Sequence, residues 1–278
     1  MEPRQAPRAE PAATGPFDAY APREIAGRVN AFCVVKARAP TLTLAVLGVL
    51  AGAYIGLGAL MYVLVASDTT LGFAASRLLG GLAFSLGLVL VTVAGAELFT
   101  GNNLLAMGWA SGCVSTREVL RNWVIVAAAN LVGALGLALL VWLSGHAAAN
   151  GGAVGRAVIA IATAKAALPP EEAFFRGVLC NALVCMAVWM TLAGRSVVDK
   201  AVAIVFPITG FVAAGFEHSI ANLYYFPLAM LLGAPLGMAD ALHNLLPVVA
   251  GNIVGGSVLV ALVYWVVYLR PPGAITSR

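Results

Sequence analysis

Long apolar runs separated by short polar stretches govern this chain. Six of them, near 41–66, 77–109, 119–144, 170–193, 200–231 and 243–269, each hold the roughly 20 residues that a helix needs to cross about 30 Å of hydrocarbon. The second and fifth runs are interrupted, by Gly95-Ala96-Glu97-Leu98-Phe99-Thr100-Gly101-Asn102 and by Gly215-Phe216-Glu217-His218-Ser219-Ile220-Ala221-Asn222. The interruptions match each other, and the frame continues in Asn122 and Asn130-Leu131-Val132-Gly133 against Asn244 and Asn252-Ile253-Val254-Gly255. A weaker match pairs 48–53 with 177–182. The pattern predicts an internal duplication: two halves of three spans, each with its middle span broken. Free N–H and C=O groups find no partner in lipid, so a break at that depth must be enclosed by protein or line a cavity. Both breaks are expected to face inward. Matching polar interruptions in duplicated halves point to a transport protein whose site lies near the bilayer midplane.

Composition excludes the rivals of this picture. Hydrophobic residues make up 61% of the 278 and charged residues 10%, with a mean hydropathy of +0.94, whereas a soluble domain is about 25% charged. Charge then adds an orientation. Arg4, Arg8, Arg23, Arg28, Lys36 and Arg38, the pairs Arg117 with Arg121 and Arg195 with Lys200, and Arg270 with Arg278 all fall on one side of six crossings. The other side holds Arg77, Arg156 and Lys165, with Arg176 inside a span. Both termini are therefore expected in the cytoplasm. Three spans per half make the halves inverted copies. The pI of 9.0 reflects this asymmetry and gives no reason to expect nucleic acid as a partner.

Residues 1–16 combine Pro, Ala and charge without an apolar stretch; no signal peptide is expected there, and the arm is expected to be disordered. From Arg23 to Arg38, Ile25, Val29, Phe32 and Cys33 recur at helical spacing among basic residues, which suits a helix lying on the cytoplasmic membrane surface, as an anchor or as a gate. The expected organisation is an arm with its surface helix over 1–38, a channel domain over 39–270 and a tail over 271–278. Cys33, Cys113, Cys180 and Cys185 form no C-x-x-C pair, so neither a disulfide framework nor a zinc site is expected.

A broken helix resumes with unpaired N–H groups and a partial positive charge. Half-helices resuming after Phe99 and after His218 would aim these ends at the membrane interior from opposite sides, with an anion as the natural guest. Small residues at the breaks could serve close packing alone, but packing does not call for Glu and Asn at matching places. Glu97 and Glu217 are costly at this depth and need partners, with Asn102 and Asn222 at hand; their role is structural or proton-carrying. Lys165 in the outer loop is either a plain surface lysine or an attractor for anions. His218 breaks the repeat, because its counterpart is Leu98. It is either a satisfied core histidine or a proton-exchanging group, since imidazole ordinarily titrates near pH 6.5. His146 and His243 fall at span ends, so a bis-histidine haem has no support, and no motif calls for a cofactor or for enzymatic chemistry.

Taken with 80–88 (Gly-Gly-Leu-Ala-Phe-Ser-Leu-Gly-Leu), 180–190 (Cys-Asn-Ala-Leu-Val-Cys-Met-Ala-Val-Trp-Met) and Gly194-Arg195-Ser196, the two broken segments resemble the formate/nitrite transporter family from about residue 17 to 270. The stretch 84–88 and the Gly-Arg-Ser turn are most similar to formate channels, and 51–58 to nitrite channels. The resemblance implies an all-α, aquaporin-like fold of six transmembrane helices, assembled as a homopentamer in the inner membrane, with one pore per subunit for formate or a related small anion, and protons. It places His218 in the pore with Thr100 as its hydroxyl partner, Lys165 in the vestibule, and Asn181 and Asn222 near the pore. It implies apolar constrictions at Phe84 and Phe211 on the outer side and at Leu88, Leu98, Phe99 and Val184 on the inner side. Nitrite or hydrosulfide are the alternatives within the family. An aquaporin-type neutral-solute pore is the alternative outside it, though neither break contains Asn-Pro-Ala.

Overall fold

The computed structural model describes residue 15 and residues 18–270. The arm ahead of them and the tail beyond, including Arg4, Arg8 and Arg278, lie outside the described residues. Among the described residues every regular element is a helix, and six helices are long and apolar enough to cross a membrane. In chain order the elements are α1 (Pro22–Arg38), α2 (Thr41–Ala66), α3 (Phe73–Gly95), α4 (Leu105–Ala110), α5 (Thr116–Leu143), α6 (Ala153–Ala166), α7 (Pro170–Thr191), α8 (Val197–Ala214), α9 (Ser219–Leu231) and α10 (Met238–Tyr268).

Each half has the same order: a short helix, a span, a broken span with a half-helix, and a closing span. The expected run 77–109 divides into α3, the break, a 3-10 turn over Gly101–Leu104 and α4; the run 200–231 divides into α8 and α9. Both spans stop at a glycine in the left-handed region, Gly95 at φ +85° and Gly215 at φ +74°. A side chain rarely adopts this conformation, so these two positions end their helices where a β-carbon would be strained.

The structure corrects one placement. Lys165 does not stand in a loop but near the end of α6, an Ala-rich helix that buries Val154, Val158 and Ala162. Alanine is the strongest helix former, and short length hid this helix from a search for spans. α6 is the second-half counterpart of α1, whose apolar face buries Ile25, Ala26, Val29 and Cys33 in one cluster with Leu104, Leu105 and Met107. Thus α1 packs on the protein, against the first half-helix, and does more than rest on lipid.

Small residues bring the paired spans together. A β-carbon on Gly133 of α5 would lie 1.9 Å from the Val49 carbonyl oxygen of α2, and in the second half one on Gly255 of α10 would lie 2.1 Å from the Val178 carbonyl oxygen of α7. Without a hydrophobic force between helices in lipid, contacts of this closeness supply the dispersion energy of association. Gly133→Val should therefore push α2 and α5 apart and lower stability by about 1–3 kcal/mol or more. Thermal unfolding in detergent checks this, and an unshifted midpoint would refute it.

Candidate conduction site

Both breaks are held by one asparagine from the closing span of the same half. Asn130 of α5 donates its amide to the carbonyls of Gly48 (2.8 Å) and Glu97 (2.9 Å) and accepts the Phe99 N–H at 2.9 Å. Asn252 of α10 repeats this, donating to Gly177 (2.9 Å) and Glu217 (3.0 Å) and accepting the Ser219 N–H at 3.0 Å. The Glu97 N–H donates to the Leu47 carbonyl and the Glu217 N–H to the Arg176 carbonyl, each at 3.2 Å. Backbone groups that lipid would leave unpaired are thereby paired within the protein.

The buried acids are paired in the same duplicated way. Lys165 of α6 meets Glu217 at 2.8 Å, Asn222 donates to the same carboxylate at 2.7 Å and to Asn244 at 2.7 Å, and Asn244 returns to the Lys165 carbonyl at 2.9 Å. In the first half Lys36 of α1 meets Glu97 at 2.8 Å, Asn102 donates to Glu97 at 2.7 Å and to Asn122 at 2.9 Å, and Asn122 returns to the Lys36 carbonyl at 3.1 Å. The sequence reading found partners for the carboxylates in Asn102 and Asn222 but overlooked Lys36 as the equivalent of Lys165. The two lysines lie at different distances from their glutamates along the chain, mainly because α2 and α3 are longer than their second-half counterparts α7 and α8. The signal that was available was Lys36 itself, a lysine without an assigned role on the helix that precedes the first half.

Each ion pair stands at the wall of a cavity. One cavity, of about 180 Å³, is lined by Lys165, Glu217, His218, Phe84 and Phe211 together with Tyr62, Arg77 and Arg176. The other, of about 340 Å³, is lined by Lys36, Glu97, Leu88, Leu98, Asn102 and Lys200 among others. Phe84 and Phe211 meet edge to face, with ring centroids 5.7 Å apart. Phe99 and Val184 are buried and line neither cavity; the Phe99 ring packs on Trp123.

Between the cavities the symmetry fails at one pair of side chains. His218 caps α9: its Nδ1 accepts the Ala221 N–H at 3.2 Å, and its Nε2 lies 3.0 Å from Thr100 Oγ1 on the opposite break. A nitrogen that accepts a backbone N–H carries no proton, so the neutral ring holds its proton on Nε2 and donates it to Thr100. The Phe211 ring stacks on the imidazole at 5.9 Å. The Asn181 amide nitrogen lies 2.7 Å from Asn103 Oδ1, 2.7 Å from the Asn252 carbonyl and 3.2 Å from the Thr100 carbonyl, tying the two breaks together. No group of histidine, cysteine, Asp or Glu among the described residues is placed to hold a metal ion.

The family model for formate/nitrite transporters matches residues 23–266, both breaks and both cavities included. The chain belongs to that family. Formate channel FocA of Escherichia coli is 39% identical over 278 aligned positions, spanning 93% of this chain and 98% of its own. A probable formate transporter of Methanothermobacter thermautotrophicus is 37% identical over 266 aligned positions, spanning 90% of this chain and 97% of its own. Among solved structures, a pentameric formate channel with formate bound superposes with a TM-score of 0.76 at 37% identity, covering 83% of this chain and 98% of its own. The fold that the sequence predicts, six membrane-crossing helices with the second and fifth broken, is that of the family.

Proposed function

We propose that the chain conducts formate across the inner membrane, as a homopentamer with one pore per subunit and both termini in the cytoplasm. The observation that carries this reading is the contact of His218 with Thr100, a titratable ring and a hydroxyl meeting between two cavities that each present a lysine beside a break. The relatives named for formate channels support the substrate. Lysines and arginines accumulate on the side where α1 lies, which supports a cytoplasmic position for the Lys36 cavity.

Apolar side chains flank the histidine, with Phe84 and Phe211 on one side and Leu88 and Leu98 on the other. An idealised transfer of a bare carboxylate into a medium of dielectric near 4 costs about 20 kcal/mol, while protonating a carboxylate of pKa about 4 at pH 7 costs about 4 kcal/mol. Formate drawn in by Lys165 or Lys36 therefore crosses as the neutral acid, protonated at or near His218. A ring bonded as seen here gives up no acidic proton until Nδ1 is protonated, and that step requires the Ala221 N–H to let go. Phe99 and Val184, both buried, complete the proposed inner constriction.

Stopped-flow uptake of formate, nitrite and hydrosulfide into proteoliposomes, with internal pH followed in the same vesicles, tests the reading. Fastest uptake of formate with internal acidification is expected; much faster nitrite or hydrosulfide would replace the substrate and leave the pore residues in place. Leu88→Ala should enlarge the cytoplasmic constriction and admit lactate alongside formate, whereas an unchanged ratio of lactate to formate flux would remove Leu88 from size selection.

A further inference from the structure

The two cavities come from duplicated halves, yet their charges differ. The frame that aligns Glu97 with Glu217 sets Val197 opposite Arg77, and the frame that aligns Gly48 with Gly177 sets Leu47 opposite Arg176. Both arginines line the Lys165 cavity. Val197 is an exposed residue, and Leu47 is part of the wall of the Lys36 cavity. The outer cavity has therefore gained two guanidinium groups that its counterpart lacks.

These two arginines are not equivalent. Arg176 is bonded to Glu172 at 2.9 Å, and Lys165 to Glu217 at 2.8 Å. Arg77 has no acidic partner among the described residues; its Nη1 donates to the Tyr62 hydroxyl at 3.2 Å, and its guanidinium lies over the Phe73 ring at 5.5 Å. Gly80, one turn along α3, leaves room for the Tyr62 ring, since a β-carbon there would lie 2.7 Å from Tyr62 Cδ2. The same Nη1 approaches the second break to 3.8 Å from where a Gly215 β-carbon would stand, beside Glu217 and His218. A half-buried guanidinium is thus braced by a hydroxyl and a ring at the cavity wall, with most of its five N–H donors unspent.

We propose that Arg77 is a specificity-determining residue of the outer cavity, selecting monoanions with two coplanar oxygens over anions with a single acceptor atom. The planar guanidinium matches the spacing of two oxygens on one carbon or nitrogen and receives them on parallel N–H bonds, whereas an ammonium acts as a point charge. Formate and nitrite fit that edge; hydrosulfide and chloride can occupy only one donor well. Tyr62 fixes the plane of the fork, so that its free edge is ready before the anion arrives. This inference rests on the proposed anion conduction and adds to it a residue that tells one class of anion from another.

The test is uptake kinetics in proteoliposomes for the unaltered chain, Arg77→Gln and Arg77→Lys, with matching elution and unfolding midpoints as the check on folding. Losing hydrogen bonds to a charged group should raise the KM of Arg77→Gln for formate and nitrite about tenfold or more at a largely retained maximal rate, with a smaller rise for hydrosulfide. Arg77→Lys keeps the charge and loses the fork; it should restore hydrosulfide uptake while formate and nitrite stay weakened. Unaltered KM for formate and nitrite in Arg77→Gln, or full recovery of both in Arg77→Lys, would overturn the proposal. Absence of anion flux in the unaltered chain would instead sink the conduction reading, so the two failures are distinct.

Discussion

His218→Asn is expected to leave a folded channel whose formate uptake no longer changes its proton stoichiometry with pH. Asparagine is among the best residues for capping a helix N-terminus, so it can still accept the Ala221 N–H that His218 Nδ1 accepts at 3.2 Å, although its shorter side chain gives up the Nε2 contact with Thr100. What it lacks is a titrating nitrogen. In the unaltered chain, protonation of Nδ1 would have to displace the Ala221 N–H that caps α9 and would place a cation beside both breaks, where an anion then needs no proton of its own. With the ring neutral, as its bond to the Ala221 N–H requires, the acid must carry its proton across. Internal pH followed during uptake at a series of external pH values reads the switch directly. A persisting switch in His218→Asn would move the proton relay to another group.

Lys165→Met should be the most damaging single change to stability. Glu217 is 3% exposed, and without the lysine its carboxylate keeps only the amides of Asn222 and, at 3.5 Å, Asn244. Breaking a buried ion pair by removing one partner costs about 3–5 kcal/mol because the remaining charge is uncompensated. Replacing both, as Lys165→Met with Glu217→Gln, removes the stranded charge and should recover most of that loss, since glutamine can still bond Asn222. Unfolding midpoints of the two single variants and the double variant form a cycle that isolates the pair. If the double variant is as unstable as Lys165→Met alone, the ion pair is not what holds the break.

The spans were legible because a helix crossing lipid must be apolar over its whole length, and that is a property of consecutive residues. The breaks were legible for the complementary reason: Glu97, Asn102, Glu217 and Asn222 stand in runs that otherwise tolerate no charge, and they do so twice in one order. Less visible was the helix carrying Lys165, since Ala153–Ala166 is too short to span and too small-sided to announce an apolar face. The tie between Lys36 and Glu97 escaped as well, because it joins the surface helix to a break 61 residues later, and an arm beside a membrane reads locally as an anchor. Asn130 and Asn252 were seen as markers of the repeat; that each closes three hydrogen bonds at its break depends on where α5 and α10 pass.

By itself, then, the sequence determined an integral membrane protein of two duplicated halves with paired polar breaks and one unmatched histidine, since hydropathy and internal repetition are read along the chain. Only the tertiary structure decided which side chains satisfy the breaks, that each glutamate has its own lysine, that Nδ1 of His218 is occupied by a backbone N–H, and that Arg77 lines the Lys165 cavity with no acidic partner among the described residues. Those are relations between helices distant in sequence. Their basis is the cost of an unpaired polar group in a medium without water, which forces partners together whatever their separation along the chain.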